Sequence, residues 1–195
     1  QEVFTLNELI QKFSLDRVQH GGAKFDEKRL LWMNGAHIRM LPLDRLYEKV
    51  EGFWPPEAEN YKPEYRKLVL GLVQERLKYF AELPELSLFF FRDLPLNPAL
   101  WQEHKQLKKV LHSELKSLLE QSRRTLADSE FDVDDLTLRL NRLLEATGQK
   151  PATLFSLIRI ATTMAPASPG LAETLTVLGK ETSLRRIDAM LASLN

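Results

Sequence analysis

From residue 62 onward, apolar side chains recur every three or four positions and are separated by short polar turns. That period collects side chains along one face of an α-helix, whereas a half-buried strand would alternate. Leu107, Val110, Leu111, Leu115, Leu118 and Leu119 make one such stripe within a long helix expected over residues 98–124. Leu136, Leu140, Leu143 and Leu144 make another within 133–146, which Gly148 closes. Leu68, Leu72, Glu75, Arg76 and Tyr79 share one broad side of a helix over 63–79. Three more helices are expected over 151–163, 169–177 and 181–193. The apolar segment 83–91 is short enough for a strand, but Leu86 and Phe90 stand one helical turn apart.

The first 60 residues carry local helix signals. Thr5 followed by Glu8 has capping-box spacing and opens a helix over 6–13. Gly21-Gly22 breaks the chain, and Asp26 caps a helix over 27–34 whose Leu30, Leu31 and Met33 are expected to face inward. Asn34-Gly35 reads as a helix stop, with Gly35 free to take a positive φ. Pro42 stands near the start of a helix over 43–50, and Trp54-Pro55-Pro56 is a rigid joint. The whole is an all-α, irregular multi-helix bundle with joints near 51–60 and 92–98. No fixed-period repeat points to a solenoid.

Composition narrows function by exclusion. The 195 residues are 44% hydrophobic and 28% charged, enough for a packed core. Lys and Arg number 27, as do Asp and Glu, so nucleic-acid binding would rest on the distribution of charge rather than its sum. There is no cysteine, which removes disulfides, thiolate metal sites and a thiol nucleophile. Residues 1–13 lack the apolar core of a signal peptide, and no run is apolar enough to span a membrane. A chain that opens on Gln1 rather than Met reads as a fragment or a processed product.

Metalloprotease, phosphate-loop, dinucleotide and serine-elbow motifs are all absent. Of His20, His37, His104 and His112, only the last two share an expected helix, eight residues apart and too far for joint metal ligation. The acidic run Asp128, Glu130, Asp132, Asp134 and Asp135 lacks the glycine and terminal glutamate of a calcium loop, so Asp132 or Asp134 is read as a helix cap. No metal site is expected.

Three basic stretches stand out. Lys105, Lys108, Lys109, His112 and Lys116 would form an i, i+3, i+4 ridge, extended by Arg123 and Arg124, able to meet phosphates. Glu103, Glu114 and Glu120 make an ordinary solvated face the alternative. Arg159 with Ser168 is the second, at the rigid Pro166–Gly170 loop whose N–H groups open the next helix, with a plain inter-helix turn the alternative. Lys180, Arg185 and Arg186 lie on the last helix, where their charge would suit the dipole near its C-terminus. RNA loops fit this inventory better than duplex DNA, because splayed bases are read by arginines and aromatic rings. An exposed arginine beside an exposed ring would separate recognition from packing.

Longer motifs then narrow the reading. Phe13-Ser14-Leu15-Asp16-Arg17-Val18, Gly21-Gly22-Ala23-Lys24-Phe25-Asp26, Leu30-Leu31-Trp32-Met33-Asn34-Gly35 and Ile38-Arg39 resemble the stretch after the catalytic domain of bacterial-type glutamyl-tRNA synthetases, a class I aminoacyl-tRNA synthetase family. Phe155 to Thr163, Ser168-Pro169-Gly170-Leu171 and Gly179-Lys180-Glu181 resemble that family's final anticodon-reading segment. The resemblance implies a stem-contact subdomain over 1–55 and an anticodon-binding helical cage made of 56–95 and 96–195. It implies that Arg76 inspects the third anticodon base, that Arg159 reads the middle one, and that Ser168 and Leu171 flank the first bases. Ser168 stands where the family has Thr, and keeps the hydroxyl. Trp32, Leu30 and Leu31 are expected in the stem-contact core. Arg17, Lys24 and Arg39 are candidates for tRNA phosphates, with ion pairs to Asp16, Asp26 or Asp44 the competing explanation, and Lys105, Lys108 and Lys109 join them as candidates.

The same resemblance implies partners. They are tRNA(Glu), with tRNA(Gln) a second candidate, and an N-terminal catalytic domain expected upstream of Gln1 together with its two ATP-binding motifs. The parent enzyme would ligate glutamate to tRNA. ATP and Mg2+ would belong to that domain, this chain would need no cofactor, and alone it would be inactive. A cytoplasmic monomer is expected. The competing reading is a synthetase-derived structural or protein-interaction module without tRNA binding of its own. An independent hydrolase has only scattered carboxylates behind it.

Overall fold

A computed structural model describes residues 3–18, 21, 22, 24–165 and 167–194. Gln1, Glu2, Gln19, His20, Ala23, Pro166 and Asn195 lie outside the described residues, and with them the expectations that involved Gln1, His20 and Pro166. Among the described residues all regular structure is helical. The helices are α1 (Leu6–Lys12), α2 (Glu27–Arg39), α3 (Leu43–Lys49), α4 (Pro63–Val73), α5 (Leu83–Phe91), α6 (Ala99–Gln102), α7 (His112–Ala127), α8 (Val133–Thr147), α9 (Pro151–Thr163), α10 (Leu171–Leu178) and α11 (Lys180–Ser193).

Local chemistry sets several of these ends. The Thr5 hydroxyl accepts from Glu8 N–H while the Glu8 carboxylate accepts from Thr5 N–H at 2.7 Å, so the expected capping box forms. The Asp26 carboxylate accepts from Arg29 N–H at 3.1 Å, and that of Asp132 from Asp135 N–H at 2.8 Å. Asp132 is therefore the cap read from the acidic run. Gly148 ends α8 in the left-handed region at φ 63°.

Two apolar cores organise the helices. The first gathers Ile38, Leu46, Val50, Ala58, Val69, Leu70, Val73, Leu77, Leu83 and Phe89 to Phe91, and takes Leu178 from α10. The second gathers Trp101, Leu107 and the inner faces of α7, α8, α9, α10 and α11. Each fully buried leucine contributes about 1.5–3 kcal/mol relative to exposure. The phenylalanine triplet anchors the first core, with Trp54, Tyr61 and Tyr65 packing edge-on around Phe91 at centroid distances of 5.8, 5.2 and 6.0 Å.

The C-terminal end of α5 is joined to α9 and α11 through Arg186, and its open carbonyls need donors. The Tyr65 hydroxyl donates to Phe90 O and that of Tyr61 to Phe91 O, both at 3.0 Å. Burial, then the neighbouring Tyr61, push the Tyr65 phenol up to about 12. Arg186 supplies the rest from α11. Its Nη2 donates to Phe89 O (2.8 Å) and Arg92 O (3.0 Å), its Nη1 to Thr162 O (2.6 Å), and its Nε to Asp93 Oδ1 (2.8 Å). Arg185 pairs with the same carboxylate.

Several expectations are corrected. Helix α2 runs through Asn34-Gly35 to Arg39 and Gly35 is helical, because α2 crosses the 77–78 backbone there. A Cβ at Gly35 would stand 3.2 Å from Leu77 O, and Asn34 Nδ2 donates to Lys78 O. The glycine serves close approach rather than termination. Leu30 and Trp32 are 52% and 46% exposed, so neither is a core residue; Gly35 and Ile38 are the buried side of α2. In α4 the buried side is Val69, Leu70 and Val73, with Leu68 exposed.

The expected helix over 98–124 is broken into α6, a 3-10 turn at Leu107–Lys109 and α7. Trp101 and Leu107 are both buried, yet six residues of continuous helix would set them about 120° apart around its axis. The break lets both enter one core. His104 Nδ1 accepts from the N–H groups of Gln106 and Leu107, and His104 and His112 are not on one helix. Lys180 begins α11 rather than lying near its C-terminus, and its Nζ donates to Ser129 O at 3.0 Å.

The Arg185 hydrogen bond first, and then Arg186, hold the Asp93 carboxyl down at about 2, against an ordinary 3.8. A depressed carboxyl stabilises the fold above its unfolded pKa, and the contribution disappears as pH falls through the folded value. Thermal melting of the wild type and of Asp93→Asn from pH 6 down to pH 1.5 checks this. The wild-type advantage should stay constant above about pH 5, shrink below about pH 4 and vanish near pH 2; a gap independent of pH would contradict it.

Candidate nucleic-acid interface

Beyond Val73 the α4 helix tightens into a 3-10 turn, Gln74–Arg76, before Leu77 drops into the first core. Gln74 fixes that turn to α2. Its Nε2 donates to Ile38 O (3.0 Å) and Leu41 O (2.9 Å), satisfying carbonyls at and just beyond the end of α2. The Glu82 carboxylate accepts from Lys78 N–H at 2.7 Å and holds the far side of the turn. Arg76 is thus exposed on a rigid seat rather than on the regular α-helix expected for 63–79.

A cleft of about 640 Å³ opens between α2 and this turn. Lys28, Trp32 and Arg39 face it from α2, and Arg76, Lys78 and Glu75 from the other wall. The exposed Trp32 indole, the exposed Arg76 and the half-buried Arg39 therefore share one cleft.

Arg159 stands on α9 with its guanidinium partly buried. Its Nε donates to Ser168 Oγ at 2.8 Å and its Nη2 to Pro169 O at 3.3 Å. Met164 takes a left-handed conformation, φ 47° and ψ 34°, that ends α9. Such a conformation costs a non-glycine residue about 1 kcal/mol. The side chains of Thr162 and Thr163 donate to Arg159 O at 3.3 and 2.8 Å and fasten this last turn.

Arg76 and Arg159, 83 positions apart in sequence, meet electrostatically. Burial, and then the Arg76 charge, hold the Arg159 guanidinium below its ordinary value. Among the described residues no carboxylate forms an ion pair with either. Two like charges held near one another beside a partly buried site favour an anion or an electron-rich base edge between them. Ser168 is 3% exposed and Leu171 is 8% exposed in the second core, so in this conformation both stand behind Arg159 rather than beside solvent.

The remaining candidates are dispersed. Arg39 lines the same cleft as Arg76, while Arg17 lies on an apolar groove with Phe4, Ile10 and Phe13, and Lys24 beside Phe25 and Leu30. None of the three has an ion pair among the described residues, and the carboxylate of Asp44 holds Lys67 instead. Lys105, Lys108 and Lys109 are exposed between α6 and α7. The helix break dissolves their ridge with His112 and Lys116. Arg123 and Arg185 are committed to Asp188 and Asp93. Sequence reasoning missed Lys28, Lys78 and Gln74 and misjudged Trp32. The spacing of Lys28, Trp32 and Arg39 marks one helix stripe once α2 is known to continue past Gly35.

Comparison with known proteins places this geometry in a family. Residues 45–191 match the family described as "Anticodon binding domain". A glutamate–tRNA ligase of Roseiflexus sp. strain RS-1 is 36% identical over 203 residues, covering 99% of this chain and 39% of the relative. One from Thermus thermophilus is 33% identical over 195 residues, covering 98% of this chain and 40% of the relative. The chain thus spans about two fifths of the length of the curated relatives it matches. A crystal structure of a glutamate tRNA ligase from Elizabethkingia meningosepticum shares the fold over 100% of this chain and 38% of that one, with TM-score 0.75 at 18% identity.

Gln74→Ala removes both donors that seat the Arg76 turn on α2. It should lower stability in urea unfolding by about 1–2 kcal/mol while leaving helix content in the folded state unchanged. Stability equal to the wild type would show that these bonds do not hold the turn.

Proposed function

The chain belongs to the anticodon-binding domain family, and on that premise we propose that it binds tRNA(Glu) and reads its anticodon as the C-terminal part of a bacterial-type glutamate–tRNA ligase. The observation that carries the proposal is the cleft that Arg76 shares with Arg39 and the exposed indole of Trp32, with the Arg76 charge felt at the partly buried Arg159 and no carboxylate paired to Arg76 or Arg159 among the described residues. A guanidinium presents a planar fork of donors to a base edge or phosphate. Arg76 would test the third anticodon base and so separate tRNA(Glu) from tRNA(Gln), and Arg159 the middle one. Ser168 and Leu171 would bound the place of the first bases. Arg39, Arg17, Lys24, Lys105, Lys108 and Lys109 would meet the phosphate backbone.

In this proposal residues 1–55 act as the stem-contact part, and 56–95 and 96–195 as the two halves of the cage. The ligation chemistry, with its ATP and Mg2+, belongs to the part of such ligases that this chain does not match. A cytoplasmic monomer is part of the same reading; no helix among the described residues is long and apolar enough to cross a membrane. Leu6, Ile10, Phe13, Leu15 and Phe25 are each more than 60% exposed, apolar surface that would fit packing against that other part. The same exposed side chains favour the second reading, a protein-docking module that binds no tRNA.

Titration with tRNA(Glu) at about 50 and 200 mM salt separates the two, because phosphate contacts weaken steeply with salt. Binding should fall as salt rises. Arg76→Ala and Arg159→Ala should each cost about 1–3 kcal/mol and relax discrimination at one anticodon base. Absence of binding at both salt concentrations would support the docking module. Binding that ignores both substitutions would reject the assigned readers.

A further inference from the structure

The anticodon reading proposed above needs Arg76 and Arg159 at a fixed spacing, yet the two stand on different cores. Arg76 sits on the first core, between Val73 and the buried Leu77. Arg159 sits on α9, whose Leu157, Ile158 and Ile160 belong to the second. The joint between the cores therefore controls the site. Leu178 of α10 crosses it, but an apolar contact is non-directional and permits sliding.

Arg186 supplies direction. One guanidinium bonds Phe89 O and Arg92 O at the end of α5, Asp93 in the linker, and Thr162 O on α9. Its side chain is only 11% exposed, and its planar fork fixes the angles between these partners. Thr162 lies one turn from Arg159, whose carbonyl it bonds through Oγ1. On the other side α5 follows directly from Glu82, whose carboxylate holds the backbone just after Arg76.

We propose that Arg186, with Asp93 as its counter-ion, is a positioning residue that sets the spacing of Arg76 and Arg159 and so sets how sharply the chain discriminates between anticodons, without touching RNA.

The test uses two variants of the full chain. Arg186→Lys keeps the charge and loses the fork. Asp93→Asn keeps Arg186 and removes its counter-ion from an exposed position. Since the chain has no cysteine, Lys49→Cys on α3 and Glu145→Cys on α8, both exposed, take one pair of nitroxide spin labels that reports the distance between the cores. In either variant the distance distribution should broaden. The preference for tRNA(Glu) over the same tRNA with an altered middle or third anticodon base should fall about tenfold. The salt dependence of binding should stay at its wild-type slope, because the phosphate contacts remain. A general loss of fold would lower both, so the split distinguishes positioning from mere stability.

Asp188→Asn, which breaks the exposed Arg123 bridge between α7 and α11, should move neither readout. An unchanged distance distribution in folded Asp93→Asn would overturn the proposal, as would a broadened one with discrimination intact. If the wild type shows no preference among these tRNAs, the anticodon reading fails. The distances then still decide whether Arg186 positions the two arginines.

Discussion

The guanidinium of Arg186 joins three segments that chain order keeps far apart. Bringing a cation into a half-dry joint is unfavourable unless its donors are met, and here four acceptors meet them. The same bonds answer the open carbonyls at the end of α5, which Tyr61 and Tyr65 complete. Removing Arg186 would leave both a helix end and a carboxylate short of partners. This mutual dependence lets two separate cores behave as one support.

What that support carries is an unfavourable pairing. Arg76 and Arg159 repel, and burial sharpens the effect on Arg159. A fold tolerates such an arrangement when the surrounding bonds over-determine it. Gln74, Glu82 and Asn34 constrain the Arg76 side, and Ser168, Pro169 and two threonines constrain the Arg159 side. Arg123 and Arg185, by contrast, are each neutralised by an aspartate. Arg76 and Arg159 can accept an anionic or electron-rich partner without first surrendering a carboxylate.

Features with local causes were legible in the sequence. The Thr5–Glu8 box, the caps at Asp26 and Asp132, and the left-handed Gly148 each depend on residues within one turn. Helical class followed from apolar period alone. The misreadings arose where distant contacts overrode local preference. Asn34-Gly35 looks like a stop, but it is where α2 meets the backbone of residues 77 and 78. The stripe over 98–124 looks continuous, but the helix breaks between Trp101 and Leu107, and both enter one core. Within the site, Arg76, Arg159 and Ser168 were named from motif resemblance. The electrostatic influence of Arg76 on Arg159 is beyond any local pattern, and so is the use of Arg186 as a joint. Leu171 fits the stripe of a buried helix as readily as it fits a role beside a base.

Hydroxyl-radical probing of tRNA(Glu), free and bound to this chain, tests the central claim most directly. The account predicts protection centred on the anticodon loop, diminished at the middle base in Arg159→Ala and at the third base in Arg76→Ala. An anticodon loop cleaved equally in free and bound tRNA, with protection confined to other regions, would contradict it.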